Sequence, residues 1–145
     1  MSERPQSFEN HAKMVPAFHY VALPILLVVL VSAVWRLVQD PSWNTILGVL
    51  LAVALQIIAL YARVFALGVQ DRVIRLEERM RMDLLFPDDL KPRIGDFTTE
   101  QLIGLRFASD DEFVDLCRKV LDEGMADRKS VKAAVKSWRA DHQRI

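Results

Sequence analysis

AFHYVALPILLVVLVSAVWRLV at Ala17–Val38 and WNTILGVLLAVALQIIALY at Trp43–Tyr61 are two apolar stretches separated only by Gln39, Asp40, Pro41 and Ser42. About twenty apolar residues is the length of a helix that crosses a bilayer. Lipid offers the backbone no hydrogen-bond partners, so such stretches are forced helical, and a four-residue link makes them antiparallel neighbours. The expected fold is an all-α membrane protein. It has a two-helix transmembrane hairpin, a second helix that continues as a cytosolic stalk, and a small C-terminal helical module. The boundaries implied are 1–16 for an N-terminal segment, 17–62 for the hairpin, 63–83 for the stalk and 84–145 for the module.

A signal peptide is the competing reading of the first stretch, because Val31-Ser32-Ala33 loosely resembles a cleavage site. The length before it, the absence of a basic run, and Pro24 and Trp35 favour a span. Lys and Arg cluster after the second stretch (Arg63, Arg72, Arg75, Arg79, Arg81) and before the first (Arg4, Lys13), whereas Arg36 alone lies near the turn. The positive-inside bias therefore expects both termini on the cytoplasmic side of an inner (plasma) membrane. Arg36 and Arg63 read as anchors whose stems are buried and whose charges reach the headgroups. Gln56 is the deepest polar side chain, and its amide is costly in hydrocarbon unless bonded. Pairing around the turn places it near the Tyr20 carbonyl, which Pro24 leaves without its usual donor, so a Gln56–Tyr20 hydrogen bond is expected. Gly48 and Ala52 have the small-residue spacing that admits another helix.

No proline or turn cluster interrupts Trp43 to Met82. On the emerging half, Ala62, Ala66, Val69, Val73, Leu76 and Met80 recur at alternating spacings of four and three, the seam pattern of a coiled coil. Asp71 with Arg75 and Glu77 with Arg81 have the i, i+4 spacing of supporting ion pairs. In a parallel dimer Arg72 and the partner copy's Glu77 occupy facing g and e positions, so Arg72, Arg75, Glu77, Glu78 and Arg79 are the candidate interaction residues. Three covers for the stripe remain open: another chain, this chain's own cytosolic helices, or the membrane surface.

Tyr61-Ala62-Arg63-Val64-Phe65-Ala66, the run Val69 to Arg79, and Leu105-Arg106-Phe107-Ala108-Ser109 together give the chain its likeness to known sequences. It resembles the bacterial domain-of-unknown-function family 6526, from the His19-Tyr20 start of the first span to the region of Trp138. The resemblance implies a two-span bacterial membrane protein with a helical cytosolic tail. It implies no activity and no catalytic residue.

In the tail, Pro87, Pro92 and Gly95 mark an irregular connector. Thr98 with Gln101, and Ser109 with Glu112, have capping-box spacing; Gly124 ends a helix and Asp127 can cap the next. Helices are expected over Thr99–Phe107, Asp110–Glu123 and Arg128–Ala140. Their apolar faces make one small core, which at this size needs support from the stalk or a partner. The formal net charge is zero, yet Asp83–Asp127 carries 5 basic against 12 acidic residues and Arg128–Ile145 carries 6 against 1. The basic tail residues Lys132, Lys136 and Arg139 read as a solvated face on a packed helix or as a contact for anionic lipid. Nucleic acid needs a broader positive surface.

Chemistry is hardly advertised. Cys117, the sole cysteine, shares a helical face with Phe113, Val120 and Leu121 and reads as a core residue. His11, His19 and His142 lack metal-site spacing, and no phosphate loop or nucleophile elbow is present. Asp110-Asp111-Glu112 reads as the acidic first turn of a helix and not as a calcium loop. The expectation is a non-enzymatic membrane anchor or scaffold without cofactor or metal. It would present a helical module to a protein partner or a second copy. The alternative is an accessory subunit of a larger transporter or energy-converting membrane complex.

Overall fold

The computed structural model describes residues 14–140. Its elements are a π-wound turn at Ala17–Ala22 leading into α1 (Leu23–Gln39), α2 (Trp43–Leu85), a 3₁₀ turn at Lys91–Asp96, α3 (Thr99–Leu105), α4 (Asp110–Asp122) and α5 (Arg128–Ala134). The described residues form two compact units, 14–67 and 68–140.

Ala17–Gln39, in the first unit, and Trp43–Leu85, which begins there and runs into the second, are each long and apolar enough to cross a membrane. Along their apolar stretches the side chains are almost wholly open. Ala52, at 2% exposure, is the buried exception in the first unit. It already sits against its own chain, so it does not offer the open small-residue surface that its spacing with Gly48 suggests. The start of α2 is fixed by a reciprocal cap. The Ser42 N–H donates to Thr45 Oγ1 at 3.0 Å, the Thr45 N–H donates to Ser42 Oγ at 3.4 Å, and the Thr45 hydroxyl reaches the Asp40 carbonyl at 2.8 Å.

The expected bond between Gln56 and Tyr20 is not formed. Instead the helix rewinds ahead of Pro24, with the Leu23 N–H donating to the Phe18 carbonyl across a widened π turn. A proline ring clashes with the carbonyl four residues back, and widening the turn relieves that clash locally. Gln56 lies half-buried on α2.

The second unit has a real core. Met82, Phe86, Leu90, Phe97, Leu102, Leu105, Phe113, Cys117, Val120 and Val131 form one buried cluster, with Val114, Leu121 and Trp138 packed at its edge. Phe86 joins its two sides, its ring 6.1 Å from both Phe97 and Phe113. Proline 87 ends α2 one turn later than the apolar pattern suggests, because the residue before proline is pushed out of helical geometry. The Thr98–Gln101 capping box forms as expected, and the Gln101 side chain also donates to the Met125 carbonyl at 2.8 Å. Gly124, at φ 62°, ends α4. Asp127 caps α5 by accepting from the Lys129 and Ser130 N–H groups at 2.8 and 2.9 Å. Asp127→Ala is expected to cost about 1 kcal/mol, read as a lowered urea midpoint of this unit.

Two expectations about the tail are corrected. The last helix stops at Ala134, not Ala140: Val135 is extended at φ −69°, ψ 125°. The chain then pairs with the α3–α4 turn, the Ser109 N–H donating to the Ser137 carbonyl at 2.9 Å and the Arg139 N–H to the Phe107 carbonyl at 2.7 Å. Nor does Ser109 cap α4 with Glu112, since Ser109 makes no side-chain cap. The Glu112 carboxylate instead accepts from the Lys136 and Ser137 N–H groups at 2.9 to 3.2 Å. A carboxylate distant in sequence thus satisfies the N–H groups that a longer α5 would have used.

Candidate functional site

The 3.6-residue turn of α2 sets Ile74, Glu78, Arg81 and Met82 on one side, and this is the side that is buried in the second unit. Glu78 is 5% exposed, so it is not the free interaction residue its sequence position suggests. Arg81 lies beside it and was expected as the exposed partner of Glu77. That pair does not form, because the Arg81 guanidinium turns inward. It donates to Glu78 Oε2 at 3.2 Å, to the Ala108 carbonyl at 2.7 Å, and through two nitrogens to Asp110 Oδ1 at 2.6 and 2.8 Å. Its carbon centre stands 3.9 Å from the Phe113 ring centroid. One side chain therefore ties α2 to the start of α4, through donors arranged in the fork that only arginine supplies.

Burial raises the Glu78 carboxyl above its ordinary 4.5, with Arg81 opposing the rise. Burial likewise pushes the Cys117 thiol up, and the Glu78 charge adds to it. A thiol so held carries almost no thiolate, which makes Cys117 an inert core group. At the surface the shifts run the other way. Asp89 is lowered by its hydrogen bond from Arg118, Glu100 by that from Arg128, and Asp127 by the α5 N–H groups.

These directions fix a pH profile. Glu78 holds its proton more tightly folded than unfolded, so stability falls as pH rises from 4.5 through its raised value. Asp89, Glu100 and Asp127 add stability that is lost as pH falls below the ordinary carboxylate range. The second unit is expected to be most stable in mild acid. Glu78→Gln should flatten the neutral side of the profile and leave the acid side in place. Trapping of the Cys117 thiol by a disulfide reagent, normalised to the urea-unfolded chain at each pH, reads the opening of this unit directly.

The remaining sequence candidates scatter. Arg72, Arg75, Glu77 and Arg79 are exposed on α2. No Asp71–Arg75 ion pair forms among the described residues; Asp71 instead contributes to the field at Arg128. Arg36 is exposed near the end of α1 and Arg63 is half-buried. Lys132 does not face outward as a lipid contact: it is 7% exposed, with its ammonium 5.0 Å from the Phe107 ring centroid. Lys136 and Arg139 remain exposed. Among the described residues no group of three metal-ligating side chains comes together. Arg81, like Glu78 and Lys132, is buried where the sequence suggested exposure; its local signal was a basic side chain at the same face as Met82 and Ile74.

A family model, that of the family of unknown function DUF6526, matches the chain over residues 1–145. No curated protein and no solved structure matches it.

Proposed function

We propose, from the premise that the chain belongs to the DUF6526 family, that it is a membrane anchor whose two apolar helices hold the helical module against the cytoplasmic face of a bacterial inner membrane. The observation that carries this reading is the openness of those helices. Ala17–Gln39 and the apolar half of α2 expose leucine, isoleucine, valine and tryptophan on nearly every side. Water would penalise such a surface by about 25 cal/mol for each Å² of apolar area left exposed, whereas hydrocarbon accepts it. Soluble proteins rarely leave contiguous apolar patches beyond a few hundred Å².

The excess of Lys and Arg after the second span, against Arg36 alone near the turn, supports a cytoplasmic module. Function then lies in placement: the anchor fixes where the module stands, and exposed residues of α2 face whatever binds there. Extraction of membranes with alkaline carbonate tests the anchor. The full chain should stay in the pellet and leave it only with detergent; release by carbonate would overturn the reading.

A further inference from the structure

The uncovered side of α2 carries an inference that rests on the membrane reading above. Val69, Val73, Leu76 and Met80 are 61%, 47%, 62% and 60% exposed, on the side of α2 away from Ile74, Glu78 and Met82. The module therefore does not use the regular apolar stripe; it packs on the irregular, partly charged one. Arg72 and Glu77 flank the open stripe, both exposed, and neither makes an ion pair among the described residues. Arg81, the one base at the right spacing for Glu77, is committed to Glu78, Asp110 and the Ala108 carbonyl.

We infer that this stripe is the seam of a parallel two-stranded coiled coil with a second copy of the chain, closed on each side by Arg72 of one copy and Glu77 of the other. Two copies inserted the same way in one bilayer emerge with their helices parallel, which is the orientation the seam requires. In that orientation a g residue meets the e residue five positions on in the other chain, and here this joins a cation to an anion. A valine at a (Val73) with a leucine at d (Leu76) favours two strands over three or four. The contact is isologous, so it closes at a dimer and leaves both modules outside the seam. Asp83 falls at the next d position and ends it. The seam is short for a coiled coil in free solution, and the anchored spans supply the alignment it lacks.

Cysteine crosslinking of the full chain in membranes, in a Cys117→Ala background, tests the pairing. Val73→Cys and Leu76→Cys should give a disulfide dimer on mild oxidation, and Arg75→Cys, displaced from the seam, should not. Arg72→Glu should lower the Val73→Cys dimer about fivefold by turning two attractive pairs repulsive, and adding Glu77→Arg should restore it. Absence of dimer at both seam positions in chains that resist carbonate would overturn the coiled coil and leave the anchor standing. Equal crosslinking at Arg75→Cys would overturn it too. Chains released by carbonate would refute the anchor itself.

Discussion

Replacing Arg81 by leucine is expected to destabilise the second unit by about 3–5 kcal/mol, the usual cost of removing one partner of a buried ion pair. Three groups lose their donor at once. Glu78, buried at 5% exposure, loses the guanidinium hydrogen-bonded to its carboxylate; the Ala108 carbonyl is stripped at the corner between α3 and α4; and Asp110 loses its link to α2. A unit of about seventy residues has roughly 4–10 kcal/mol of total stability, so the change approaches global unfolding. Arg81→Lys should recover little, since one ammonium cannot reach three acceptors held in a fork. Glu78→Leu combined with Arg81→Leu should be less damaging than Arg81→Leu alone, because the stranded charge is gone. Urea unfolding followed by Cys117 trapping, applied to these variants and to Glu78→Leu alone, completes the cycle, and additive effects of the two substitutions would contradict the coupling.

Gly104→Ala is the second large effect, and its direction runs against helix propensity. Alanine in place of glycine inside a helix ordinarily stabilises by about 0.8–1 kcal/mol. At Gly104 an added Cβ would lie 2.6 Å from Val131 Cβ and 2.7 Å from its Cγ1, with the Arg128 carbonyl at 3.3 Å. No rotamer change relieves a Cβ–Cβ overlap, so α3 and α5 must separate and the buried Val131, Leu102 and Leu105 lose packing with them. Overpacking of this kind typically costs about 1–3 kcal/mol, which outweighs the propensity gain. Val131→Ala in the same chain should rescue only partly, because it removes Cγ1 and keeps Cβ. Gly68→Ala is the contrasting case: nothing lies within 4 Å of its Cβ, and α2 should gain stability there. Equal responses at the two glycines would contradict the close crossing of α3 and α5.

The two helices long enough to cross a membrane were legible because their signal is local and large. The same holds for the Thr98–Gln101 box, the Asp127 cap and Gly124, each set by residues close together in the chain. What the sequence hid depends on partners far along the chain. The α5 pattern through Ala140 is a fair helical pattern, but Glu112 and the backbone of Phe107 and Ser109 compete for the N–H and C=O groups of residues 136–139. The charged face of α2 looked solvated because Glu78 and Arg81 are charged. Their burial becomes tolerable only once Ala108 and Asp110 arrive from 27 and 29 residues beyond Arg81 in hydrogen-bond reach, and Phe113 from still further along the chain in ring contact. The apolar stripe of α2 was legible from its alternating spacing of four and three, yet the choice among its possible covers could not be made from spacing. The module's use of the opposite face removes one of them, the chain's own helices.

The anchor stands or falls on whether the turn after α1 and the module lie on opposite sides of a bilayer. In a Cys117→Ala background, Asp40→Cys and Glu123→Cys place one thiol at each of these exposed positions, and a membrane-impermeant maleimide is applied to intact cells of a bacterial expression host. The account predicts rapid labelling at position 40 and labelling at position 123 only after the membrane is opened. Labelling of both positions from outside, or of position 123 alone, would contradict it.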